Sequence, residues 1–189
     1  MNTALLVIDV QESFRERADD WSATANPQIV EQVTRLVAAA RAAGDLVVWV
    51  THAEPGSGGV FDPASGFVRL IDSLDPIDGE PQITKTSINA FTTTNLQQQL
   101  TEQSVRELVI CGIRTEQCCE TTARVGSDLG YAVTFVADAT TTSGIAATAD
   151  RPAISAQDIV ARTVAVLAGR GFATVATTDQ VVARAAALA

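Results

Sequence analysis

"ICGIRTEQCCETTARVGSDLGY", Ile110 to Tyr131, leaves an apolar run at a glycine, turns through polar residues and enters a helix-forming stretch at two adjacent cysteines. The run that feeds it, Glu107 to Gly112, is short and apolar at successive positions, as a strand buried on both faces is. A buried strand that turns at once into a helix is the repeating unit of a parallel sheet.

The same pattern recurs along the chain. Ala4 to Val10, Asp45 to Thr51, Tyr131 to Asp138 and Phe172 to Thr178 are further short apolar runs. Between them lie segments of helical periodicity. Asn26 to Gly44 places Ile29, Val33, Leu36, Val37 and Ala40 on one face, with Asn26 as cap, Pro27 in the first turn and Gly44 as the stop. Thr92 to Ser104, Cys118 to Gly130, Ser155 to Gly171 (opened by a Ser155–Asp158 capping pair) and Asp179 to Ala189 read as helices in the same way. Alternation with short connections predicts a three-layer α/β/α fold around a mostly parallel, Rossmann-like sheet of about six strands. The chain has 189 residues, 47% of them hydrophobic, which suits one core and one domain over 1–189.

Thirteen basic against 22 acidic residues give a formal charge of -9, which argues against a nucleic-acid or anionic-membrane partner, since both need basic patches. The opening run is broken at Asp9 and has no basic leader, so a cytoplasmic protein is expected. Three cysteines, two of them neighbours, form no disulfide framework.

In such a sheet the ligand site lies beyond the carboxyl ends of the strands. Cys118 falls there, at a helix N-terminus, where unpaired N–H groups and the macrodipole are expected to lower a thiol's pKa and to receive an oxyanion. Cys119 is turned about 100° away and is expected to pack. Asp9 ends an otherwise apolar strand at the same edge, a costly place for a carboxylate without a role. Two irregular stretches, His52 to Gly66 and Ala139 to Ser155, follow strands and are candidate lids.

Three segments together resemble the isochorismatase-like superfamily, in its cysteine hydrolase branch. "ALLVIDVQESF" is similar to the family's opening strand, with Asp9 in the catalytic position and Phe14 in a pocket-lining one. "KTSINAF", Lys85 to Phe91, resembles the segment with the catalytic lysine. In the quoted stretch, Gly112, Thr115 and Cys118 match the nucleophile segment. The resemblance implies a triad of Asp9, Lys85 and Cys118, and an oxyanion hole of the Arg114 and Cys118 amides. It also implies a cis peptide between Ile113 and Arg114, and attack of the thiol on an amide-like carbonyl. It implies a homodimer or homotetramer, and the apolar Val181 to Leu188 helix and "AATAD", Ala146 to Asp150, are candidate surfaces for it. Gln11, Phe14, His52, Glu54, Phe61, Asn89 and Phe91 are candidate substrate contacts, and Trp49 a candidate wall.

Nicotinamidases of the superfamily bind a metal through Asp–x–His and a further His. This chain has one histidine, His52, so no metal and no cofactor are expected. A second departure is Cys119, where the family carries an aliphatic residue. The presence of Cys118 favours C–N hydrolysis of a carboxamide, ureido or carbamoyl group. A vinyl-ether hydrolase, a thiol redox sensor and a non-catalytic member of the same fold stay open as alternatives.

Overall fold

The computed structural model describes residues 2–188; Met1 and Ala189, the ends of the expected domain and of its last helix, lie outside them. Six parallel strands form one sheet: β1 (Thr3–Ile8), β2 (Leu46–His52), β3 (Gln82–Lys85), β4 (Glu107–Ile113), β5 (Ala132–Thr141) and β6 (Thr174–Ala176), in spatial order β3-β2-β1-β4-β5-β6. Helices α1 (Glu12–Arg15) and α2 (Ala18–Ser22) follow β1, and α3 (Ile29–Ala43) crosses to β2. Next come α4 (Leu96–Glu102), α5 (Glu120–Asp128), α6 (Ala156–Gly169) and α7 (Thr178–Leu188).

Side chains of a strand alternate between faces, and β1 divides accordingly. Leu5 and Val7 join Ile29, Val33, Leu36 and Val37 of α3 in one core; Ala4, Leu6 and Ile8 join Leu96, Leu100, Ala123 and Leu167 of α4, α5 and α6 in the other. The sheet is therefore covered on both faces, which explains why its strands read as continuous apolar runs. In α7 the partly buried Val181 packs on the α3 core.

Departures from the expected elements have local causes. β1 stops at Ile8, two residues early, because Asp9 takes a left-handed φ of 54° and breaks the extended run. Asn26 does not cap α3, which starts at Ile29. Its amide donates to the carbonyls of Ala137 and Thr140 instead, filling an irregularity where β5 slips between the Ile110–Phe135 and Gly112–Thr140 pairs. That bulge carries β5 three residues beyond the expected end, to Thr141. The helix after β4 begins as a π-helical turn, Thr115–Cys119, three residues ahead of the expected start.

One glycine sets the closest approach in the sheet. Gly112 has φ 129° and lies opposite Ile8, and a Cβ there would stand 1.9 Å from the Ile8 carbonyl oxygen. Only glycine allows β4 to run this near the end of β1. Gly112→Ala is expected to lower the melting midpoint by on the order of 10 °C or to prevent folding, measured by circular dichroism; an unchanged midpoint would contradict this packing.

Candidate active site

The strand order reverses between β1 and β4, the two strands whose ends carry Asp9 and the turn to Cys118. In an open α/β sheet such a switch point leaves a crevice beyond the carboxyl edge. Lys85 closes β3, two strands away, and its side chain reaches toward β1 past the end of β2, where His52 is its partner in register.

The three side chains meet. Lys85 Nζ is 2.8 Å from Asp9 Oδ2 and donates to Cys118 Sγ at 3.3 Å. Asp9 and Lys85 are wholly buried and Cys118 is 5% exposed. Neither Asp9 oxygen has a well-directed hydrogen bond among the described residues, so Lys85 meets the carboxylate as a close ion pair and leaves acceptor capacity unused. Removing one member of a buried pair strands the other charge at a cost of about 3–5 kcal/mol.

Electrostatics correct the expectation of a lowered thiol pKa. Burial first, and then the Asp9 charge, push the Cys118 thiol up to about 12, with Lys85 pulling the other way. Burial likewise raises the Asp9 carboxyl, opposed chiefly by Lys85. One lysine balances one negative charge, and a second in so dry a place has nothing to balance it. The site therefore holds one proton between two acids, and the resting thiol is neutral. Cys111 and Cys119 are fully buried, and burial raises both thiols as well.

Cys118 is the fourth residue of the π turn, so its amide and that of Arg114 lie where a helix leaves N–H groups without intrahelical partners. The Ile113–Arg114 peptide is cis. The Arg114 guanidinium binds Asp20 and Ser143 and lies 5.6 Å from the centre of the Phe14 ring. Phe14 meets Phe61 edge-on at 5.0 Å, and Arg17 stacks on Phe61 at 4.9 Å. Phe14, Arg114, Ile113, Asp20, Trp21, Thr24, Thr142 and Ser143 line a narrow crevice beside the cysteine turn. Sequence reasoning missed Asp20, Arg17 and Ser143; the Asp20–Arg114 pair spans 94 residues and leaves no local signal.

The other candidate contacts divide. His52 meets the trio, its Nδ1 3.3 Å from Lys85 Nζ, and its ring lies 5.8 Å from that of Phe61, which in turn packs on Phe14. Glu54 is half exposed, 3.5 Å from His52 Nε2. Gln11 is a strut: its amide accepts from the His52 N–H and donates to the His52 carbonyl and Ser13, which ties the end of β1 to β2 and leaves little for a ligand. Asn89 accepts from the amides of Phe91 and Thr92 and shapes its own turn. Phe91 belongs to the core, stacked on Tyr131 at 6.2 Å. Trp49 is core too, its indole N–H given to Glu80 at 2.7 Å. Among the described residues no group of three or more His, Cys, Asp or Glu is placed to hold a metal ion, and no helix is long and apolar enough to cross a membrane.

Residues 3–180 match the model of the isochorismatase domain. An uncharacterized isochorismatase family protein, YrdC of Bacillus subtilis, is 30% identical over 179 residues, covering 95% of this chain and 94% of the relative. The ureidoacrylate amidohydrolase RutB of Klebsiella pneumoniae is 28% identical over 175 residues, covering 75% and 74%. The solved structure of a cysteine hydrolase from Pseudomonas syringae superposes with a TM-score of 0.90 at 27% identity, over 100% of this chain and 94% of that one.

The charges around Cys118 make a signed prediction. Asp9 raises the thiol pKa chiefly by its charge. Asp9→Asn should therefore lower that pKa and speed alkylation of Cys118 by iodoacetamide at mildly alkaline pH, followed by peptide mass mapping. Slower alkylation in this variant would contradict the electrostatic account.

Proposed function

This chain belongs to the isochorismatase family of hydrolases, and we propose that it cleaves a C–N bond of a small carboxamide, ureido or carbamoyl compound through a thioester on Cys118. The observation that carries the reading is the buried contact of Lys85 with both Asp9, at 2.8 Å, and Cys118, at 3.3 Å, at the switch point of the sheet. An amidohydrolase among the chain's relatives supports the choice of bond.

The contacts of Lys85 with Asp9 and Cys118 support the following steps. Asp9 takes the thiol proton while sulfur attacks the carbonyl carbon; Lys85 steadies the two negative groups. The tetrahedral oxyanion is received by the N–H groups of Arg114 and Cys118. Collapse breaks the C–N bond, and protonated Asp9 gives its proton to the leaving nitrogen, releasing ammonia or an amine. Asp9 then takes a proton from water, whose oxygen attacks the thioester, and the acid product leaves as the thiol regains its proton. A raised Asp9 pKa suits a group that must accept and return a proton in turn.

His52, beside Lys85, and the rings of Phe61 and Phe14 packed in sequence on it would face the substrate, with Glu54 at the rim. We also infer a homodimer or homotetramer. The hairpin after β5, closed by the Ile145–Ile154 bridge, exposes both isoleucines and contains Ala146 to Asp150. A monomer mass in solution would contradict this.

Ammonia or amine release from a panel of carboxamides, ureido acids and carbamates tests the activity. Cys118→Ala and Lys85→Met should each reduce kcat/KM by at least about a thousandfold while the protein stays folded. Turnover of any panel member that survives Cys118→Ala would overturn the thioester route.

A further inference from the structure

Lys85 touches a third side chain. An ammonium has three N–H donors and no acceptor, and three acceptors surround the buried Nζ: Asp9 Oδ2 at 2.8 Å, Cys118 Sγ at 3.3 Å and His52 Nδ1 at 3.3 Å. The ammonium thus has one acceptor beside it for each of its hydrogens, the Asp9 contact being a close ion pair. Since the lysine is the donor, Nδ1 is the unprotonated ring nitrogen and the imidazole proton sits on Nε2. That nitrogen faces Glu54 Oε1 at 3.5 Å, a carboxylate at the solvent edge.

The ring is held from several directions. Its backbone is clamped by Gln11 on both N–H and carbonyl, its register partner is Lys85 itself, and its face meets Phe61. The side chain is 12% exposed. This restraint falls on the last residue of β2, the chain's single histidine.

We propose that His52 is a positioning residue for Lys85: its Nδ1 takes the third ammonium hydrogen, which aims the other two at Asp9 and Cys118, and the nearby Glu54 carboxylate favours the ring proton on Nε2. This deepens the triad reading and rests on it. Without the acceptor, the ammonium would keep a buried N–H with no partner and would turn away from the sulfur to find one. A proton on Nδ1 would have the same effect, setting N–H against N–H with Lys85, Asp9 and Glu54 as the charged groups around the ring.

The test needs no substrate. The rate of Cys118 alkylation by iodoacetamide is measured in the parent, His52→Leu, His52→Asn and Lys85→Met, with thermal unfolding of each as the check on folding. His52→Leu is expected to slow alkylation by roughly tenfold, the size of one charge-assisted hydrogen bond. His52→Asn, whose Oδ1 can accept the same ammonium hydrogen, is expected to restore most of the loss. Slow alkylation in Lys85→Met with an unaffected His52→Leu would overturn the positioning role and leave the triad standing. Equal slowing in His52→Leu and a folded His52→Asn would also overturn it, because an acceptor would then not be what counts. An unaffected Lys85→Met would overturn the triad reading itself.

Discussion

A single positive charge, Lys85, sits where no water reaches and where two acids and an imidazole converge on it. Such a charge is tolerated only if its hydrogens are taken and its field is answered. Asp9 answers the field; Cys118 and His52 take the remaining hydrogens. The rest of the site can be understood as what must be true for those groups to meet without strain or solvent. The same dryness that strengthens the ion pair disfavours a second negative charge, so the sulfur keeps its proton.

The sheet supplies the meeting place. Asp9 ends β1, Lys85 ends β3 and Cys118 follows β4; the parallel strands put all three at one edge, and the order β3-β2-β1-β4 sets these ends close together with β2 between β3 and β1. Gly112 lets β4 come close enough to the end of β1, and the left-handed turn at Asp9 takes its carboxylate out of the strand's alternation. Gln11 then ties that turn to the end of β2, so the segment that carries Asp9 and the one that carries His52 are joined by side-chain hydrogen bonds. Function here depends on strand ends held in register by a buried sheet, with loops contributing the aromatic wall.

Much of this was legible in the chain. Doubly covered strands leave unbroken apolar runs, so β1, β2, β4 and β5 and the helices between them could be read with ends off by a few residues. The short β3, with exposed Gln82 and Thr84 alternating with buried Ile83 and Lys85, carries half the apolar signal of the others, and was legible only through the resemblance around Lys85. Cys118 and Asp9 stood out because their residue types conflict with their surroundings. What could not be read were distant pairings such as Arg114 with Asp20, the capture of Asn26 by the β5 bulge, and the sign of the thiol shift. Helix-end reasoning alone favours a thiolate at Cys118, and only the burial of the whole trio, a tertiary fact, reverses that.

The most direct test of one charge organising one shared proton is the thiolate ultraviolet absorbance of Cys118 as a function of pH, taken as the difference between the parent and Cys118→Ala. The account predicts no thiolate at neutral pH, with the signal rising only toward about 12, and a rise at still higher pH in Lys85→Met. A full thiolate signal at neutral pH, or one indifferent to the loss of Lys85, would contradict it.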